Sequence, residues 1–140
     1  MKRHILLLVF AMFFVNLFSQ DDAKKNDVKM KFNPALFPNG FKNINIYANK
    51  ECGRCTGAIE SFIKEKISYN ELDLGDQKIF NDIYNRVRLS LPFPNLGFTL
   101  NFPIIEIDST LFYNLEDPNQ FAKDLNEYIQ KTKGDSPPVK

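Results

Sequence analysis

Residues 43–67 read NINIYANKECGRCTGAIESFIKEKI, and this stretch decides the fold. Over residues 44–48 apolar side chains alternate with Asn and Tyr, a period of two that is typical of a β-strand. Beyond the cysteines, the apolar residues recur at helical spacing, which predicts an amphipathic helix over residues 53–66. Cys52 and Cys55 therefore lie where a predicted strand ends and a predicted helix begins.

The rest of the chain predicts five more elements. Residues 67–74 alternate as a second strand, and Asp76 can cap the helix that follows it. Residues 103–107 and 110–113 predict a β-hairpin. Asp117 followed by proline is typical of a helix start, because Asp caps and proline fits the first helical position. The order βαβαββα, with a right-handed crossover joining two parallel strands, predicts an α/β fold with a four-stranded mixed sheet and three flanking helices. This is a thioredoxin-like plan.

The composition indicates one small domain, because 140 residues that are 44% hydrophobic suffice for a single core. We predict that residues 41–130 form this domain. Residues 20–40 are charged and broken by prolines and glycine, and they predict a linker with a loosely packed stretch over 32–37. Residues 131–140 are polar and contain proline, so they predict a flexible tail.

Residues 1–19 have the layout of a signal peptide. Lys2 and Arg3 precede a largely apolar run over residues 5–18, and the small Ser19 precedes a polar segment. This run is shorter than the roughly 20 residues needed to span a bilayer. Leu17 is bulkier than signal peptidase prefers, so an uncleaved membrane anchor remains an alternative. We expect an exported protein, periplasmic or secreted, whose membrane contact is limited to this segment.

Charge and histidine content exclude several function classes. The chain has 18 basic and 17 acidic residues, and removal of residues 1–19 leaves 16 and 17. This near-neutral balance gives no electrostatic footprint for nucleic acid. The same cleavage removes His4, the only histidine, which excludes Ser-His-Asp triads, Cys-His pairs and His-ligated zinc from the mature chain.

The two cysteines are the candidate catalytic residues. The N-terminus of a helix favours an anion, so the pKa of Cys52 should fall below the roughly 8.5 of free cysteine. Lys50 and Arg54 can act in the same direction. Cys55, one turn into the helix, would attack the mixed disulfide on Cys52 and release the partner as a thiol.

Two other functions of the CxxC sequence stay open. A disulfide across four residues removes roughly 2 kcal/mol of unfolded-state entropy, against about 3 kcal/mol for a 15-residue loop. In a purely structural role it would therefore stabilise the fold less than a bridge between distant segments. A non-catalytic module could bind a soft metal or cluster, but two thiolates complete a site only if two chains share it. We predict no resident metal and no tightly bound cofactor.

The chain resembles the glutaredoxin family over residues 43–130. Ile46-Tyr47 followed by Cys52-Gly-Arg-Cys55 is similar to the strand and CxxC motif of that family, and residues 102–108 (FPIIEID) are similar to its cis-proline segment. The resemblance implies that Phe102 and Pro103 line the thiol site, that the bond between them is cis, and that they receive an extended substrate by strand addition. It also implies that the partners are proteins or small molecules carrying thiols or disulfides.

Two segments depart from the family pattern. Glutathione-using members carry a Gly-Gly pair where residues 113–117 read YNLED, so glutathione remains only a candidate substrate. The apolar segment 89–101 is longer than in the family. Within and beside it, Phe93, Phe98 and Phe102 either form an apolar rim for a client segment or pack the loop over the domain edge.

Overall fold

The structure is a computed structural model in which residues 29–92, 94–95 and 97–134 are described. The predicted signal peptide and the first part of the predicted linker lie outside the described residues, as do Phe93 and residues 135–140. No helix in the described part of the chain combines the length and the apolar character that crossing a membrane requires.

The described residues form a mixed four-stranded sheet with three helices, which confirms the predicted fold class. The strands are β1 (Ile44–Ala48), β2 (Asn70–Asp73), β3 (Ile104–Ile107) and β4 (Thr110–Phe112), and the helices are α1 (Gly53–Lys64), α2 (Gln77–Ser90) and α3 (Pro118–Gly134). The strand order is β2-β1-β3-β4. β1 is parallel to β2 and antiparallel to β3, and β3 pairs with β4 as a hairpin. This architecture is consistent with a thioredoxin-like fold.

Side chains at the helix starts explain where α2 and α3 begin. Asp76 accepts hydrogen bonds from the backbone N–H groups of Lys78 and Ile79, at 2.8 and 3.3 Å. Asp117 does the same for the second and third residues of α3, at 2.8 and 3.3 Å. Each carboxylate satisfies N–H groups that have no partner within the helix, so both predicted caps are confirmed.

The alternation of β1 and β3 divides the core between the two faces of the sheet. Ile46 and Ile105 belong to a cluster that includes α1 and α3 residues, whereas Tyr47 and Ile104 belong to a cluster on the α2 side. All four side chains are buried. Strands covered on both faces are rich in apolar residues, which explains the isoleucines of β1 and β3; Asn45 and Glu106 are polar exceptions that hydrogen-bond to each other.

Part of the predicted linker belongs to the fold. Phe32 and Phe37 are 8% and 5% exposed, and the ring of Phe32 packs edge-on against Phe121. The backbone of Met30 pairs with the loop after β4, donating to the Asn114 carbonyl at 3.2 Å. The linker prediction was wrong for residues 30–37, because these aromatic side chains complete the core beside α3.

The last helix extends into the segment that was predicted to be a flexible tail. α3 continues to Gly134, so the prediction was wrong for residues 131–134. No proline interrupts this stretch, and Lys131 lies one turn beyond Glu127, with 3.9 Å between the ammonium and the carboxylate.

Candidate functional site

A tight turn carries the chain from β1 into Cys52. The backbone N–H of Cys52 donates to the Asn49 carbonyl at 3.1 Å, and that of Glu51 donates to the Asn49 side chain at 3.1 Å. Cys52 is the N-cap of α1, with extended backbone angles of φ −94° and ψ 104°. Its carbonyl accepts the first hydrogen bonds of the helix, from Cys55 at 3.0 Å and Thr56 at 3.1 Å. This geometry places the Cys52 side chain at the positive end of α1.

The two cysteines lie within disulfide-bonding distance, with 5.2 Å between their Cα atoms. The backbone N–H of Cys55 points at Cys52 Sγ, 3.2 Å away. Cys52 is half-buried, whereas Cys55 is 1% exposed. An incoming sulfur therefore meets Cys52 first, and the N–H that faces Cys52 Sγ would stabilise a thiolate there after reduction.

The two cations near the motif have partners other than the cysteines. Lys50 is exposed, and its ammonium lies 3.4 Å from a carboxylate oxygen of Asp73 at the end of β2. The pKa of Asp73 is lowered, chiefly by the N–H of Gly75 and further by Lys50. Arg54 donates to the Leu115 carbonyl at 2.6 Å. Arg54 thus ties the start of α1 to the loop before α3.

The Phe102–Pro103 segment lies at the same end of the central strands as the cysteines. Tyr47 pairs with Ile104 in antiparallel register, so Pro103 comes opposite Ala48, just before the turn to Cys52. The Phe102–Pro103 peptide bond is cis, and Pro103 is fully buried. Phe102 is half-buried and packs against the core cluster that contains Cys55. The structure therefore brings this segment and the cysteines together.

A row of aromatic rings continues from Phe102, and sequence reasoning missed it as a unit. Phe102 packs edge-on against Phe80, which stacks on Tyr84, which stacks on Phe98. The helical spacing of Phe80 and Tyr84 in the sequence is typical of residues on the core-facing side of a helix. Tyr84 is in fact 36% exposed. Phe93 lies outside the described residues.

A buried polar network on the α2 side was also missed. The Glu106 carboxylate, in β3, is 5% exposed and accepts hydrogen bonds from Tyr47 at 2.7 Å, from Asn45 at 3.0 Å, and from Arg86 of α2. The pKa of Tyr47 is raised to about 12, chiefly by burial and further by the neighbouring Glu106 carboxylate. Burial alone would raise the pKa of Glu106, but the three donors, with Arg86 the strongest, outweigh it and lower this pKa. The network fastens α2 to the sheet.

Within residues 29–92, 94–95 and 97–134, no three or more His, Cys, Asp or Glu side chains come together as a group able to hold a metal ion. No protein-family profile matches the chain, and no curated protein matches it. A CxxC pair at disulfide distance on a thioredoxin-like fold is compatible with oxidoreductase activity.

Proposed function

We propose that the protein is an exported, glutaredoxin-like thiol–disulfide oxidoreductase. One observation carries this proposal: Cys52 is only half-buried at the N-terminus of α1, while Cys55 is buried within bonding distance of it. This asymmetry separates a sulfur that meets substrate from a sulfur that resolves the intermediate. The export part of the proposal rests on the sequence pattern of residues 1–19.

The reaction begins, in the reducing direction, with the Cys52 thiolate. It attacks one sulfur of a substrate disulfide, which forms a Cys52–substrate bond, breaks the substrate S–S bond and expels the second substrate sulfur as a thiolate that takes up a proton. Cys55 then loses its proton and attacks Cys52 Sγ, which releases the first substrate sulfur as a thiolate that is protonated in turn. The substrate disulfide is reduced to two thiols, and Cys52 and Cys55 are oxidised to a disulfide. The reverse sequence oxidises a substrate dithiol.

The Phe102–Pro103 segment would hold the substrate beside Cys52. It lies just before β3, at the end of the sheet that carries the cysteines, and the backbone of an extended chain would pair with it there. The proposed substrates are proteins or small molecules that carry thiols or disulfides. Glutathione stays a candidate substrate, although residues 113–117 lack the Gly-Gly pair of the glutathione-using members of the family that the chain resembles.

Disulfide exchange by three purified variants tests the proposal. Cys52→Ser should abolish turnover of a disulfide-bonded peptide, because the attacking sulfur is gone. Cys55→Ser should accumulate a covalent adduct with the peptide, because nothing resolves it, and mass spectrometry detects this adduct. Glu60→Gln, on an exposed position of α1, is the matched control and should keep full activity.

Two outcomes would overturn the proposal. A wild-type protein that exchanges no disulfide leaves the CxxC pair structural. A purified protein that carries a stoichiometric soft metal or a coloured cluster, bound between two chains and lost in Cys52→Ser, identifies a binding module instead.

A further inference from the structure

The four rings of Phe102, Phe80, Tyr84 and Phe98 form a continuous surface, here called the aromatic ladder. The ring centroids of Phe102 and Phe80 are 6.4 Å apart, those of Phe80 and Tyr84 are 5.9 Å apart, and those of Tyr84 and Phe98 are 5.2 Å apart. The last two contacts are stacked, with interplanar angles of 20° and 26°. The ladder therefore connects the start of β3, the first turns of α2 and the loop before β3.

The ladder is only partly covered by the rest of the protein. Tyr84 is 36% exposed, and the other three rings are half-buried. Ile79 and Leu100, also half-buried, pack against the same α2-side cluster and widen the apolar surface. A contiguous apolar surface that stays partly open to water is typical of a binding site for another molecule.

The ladder meets the proposed thiol site at Phe102. This residue packs both against the cluster that contains Cys55 and against the α2-side cluster. Cys52 packs against the first of these clusters as well, so a substrate whose sulfur reaches Cys52 comes near the first ring, and the chain that flanks this sulfur can continue along the others. A disulfide as small as oxidised 2-mercaptoethanol is too short to follow the rings past the first one.

We propose that the aromatic ladder binds the polypeptide segment that flanks the reacting cysteine of a protein substrate. The inference rests on the proposed function and deepens it by naming the substrate class. The occupant is an extended, locally unfolded segment with apolar side chains at alternate positions, rather than a small thiol.

The spacing of the rings matches this occupant. In an extended chain, alternate side chains lie on one face about 6.6 Å apart. The steps of the ladder are 5.2 to 6.4 Å, so each alternate apolar side chain can contact a successive ring or the gap beside it. Three such steps correspond to about six residues of extended chain.

The experiment measures how fast Cys52 forms a mixed disulfide, in a Cys55→Ser background that stops the reaction there. One probe is a disulfide-linked dimer of a short peptide with one cysteine and Leu or Phe at alternate positions. A matched dimer carries Ser and Asn at those positions, and oxidised 2-mercaptoethanol is the small disulfide. Each reaction forms one Cys52–probe bond and releases one probe thiol, which is measured by mass spectrometry.

We expect the apolar peptide to react about tenfold faster than the polar peptide. Tyr84→Gln combined with Phe98→Gln should remove this preference and leave the rate with oxidised 2-mercaptoethanol unchanged, which also reports that the fold is intact. Leu89→Gln is the matched control, since Leu89 is a 68% exposed apolar residue on α2 outside the ladder. It should keep the full preference.

The outcomes separate this inference from the proposed function. Equal rates with the two peptides, alongside rapid reaction with the small disulfide, overturn the ladder proposal and leave the oxidoreductase in place. No reaction with any probe overturns the proposed function itself. A dimer of the protein that dissociates only in the ladder variant identifies a second copy as the occupant and also overturns the inference. If the ladder variant does not fold, the comparison of the two peptides on the unaltered ladder decides.

Discussion

Replacement of Arg86 by Met should destabilise the fold strongly, because it leaves the Glu106 carboxylate buried without its cation. Removal of one partner of a buried ion pair costs about 3 to 5 kcal/mol. Two features reduce this figure here: the Arg86 side chain is 36% exposed, and Glu106 keeps its hydrogen bonds from Tyr47 and Asn45. We therefore expect a loss of about 2 kcal/mol, which lowers the melting temperature by roughly 10 °C for a domain of this size.

The loss should also depend on pH. In the wild type the pKa of Glu106 is lowered below its ordinary value, so this carboxylate stabilises the fold above its unfolded pKa, and that stability is lost as the pH falls through the folded pKa. Without Arg86 the strongest of the groups that lower the pKa of Glu106 is gone, so we expect this pKa to rise and protonation to relieve the penalty as the pH falls. The stability gap between wild type and variant should narrow from about pH 7 to about pH 4.

Urea unfolding followed by circular dichroism at several pH values measures both effects. Arg88→Met is the control, because Arg88 lies on the same helix and forms no ion pair with any residue that the structure describes. The reasoning is refuted if Arg86→Met costs no more than Arg88→Met near neutral pH, or if the gap stays constant as the pH falls.

Two further substitutions test particular elements of the fold. Phe37→Ala should cost about 3 kcal/mol in urea unfolding, because the buried ring leaves a cavity beside Phe112. Leu36→Ala, at a 51% exposed position, should cost less than about 0.5 kcal/mol. If Phe37→Ala cost no more than Leu36→Ala, residues 32–37 would not be part of the core. Asp117→Ala should lower the melting temperature through a loss of about 1 kcal/mol of stability, since the Asp117 carboxylate no longer accepts a hydrogen bond from the Asn119 N–H. Asp117→Asn should keep most of this stability, because asparagine also caps helices. An alanine variant as stable as the wild type would show that the cap contributes nothing.

Local patterns were sufficient to predict the order of the elements. The alternation in β1, the Asp caps of α2 and α3 and the helical spacing after Cys55 each depend on neighbours in sequence, and all are present in the structure. The same local logic placed Cys52 at a helix start. These features were predictable because the strand period, the helix period and the capping hydrogen bonds act within a few residues.

Long-range contacts were the part that sequence reasoning could not predict. Phe32 and Phe37 lie among prolines and charges, and only their packing against Phe112 and Phe121 makes them core. Arg54 donates a hydrogen bond to the Leu115 carbonyl, 61 residues along the chain, and no local sequence pattern predicts this contact. The aromatic ladder likewise joins helix and loop residues that only the folded chain brings together.

The most direct test of the central claim is the thiolate titration of Cys52, followed by ultraviolet absorbance in the reduced Cys55→Ser variant. With Cys52 at the N-terminus of α1 and the Cys55 N–H facing its sulfur, the account predicts a pKa well below the roughly 8.5 of free cysteine. The matched wild-type protein should then exchange disulfides. A Cys52 pKa at or above that of free cysteine, with no exchange by the wild type, would contradict the account and leave the Cys52–Cys55 bridge as a structural link.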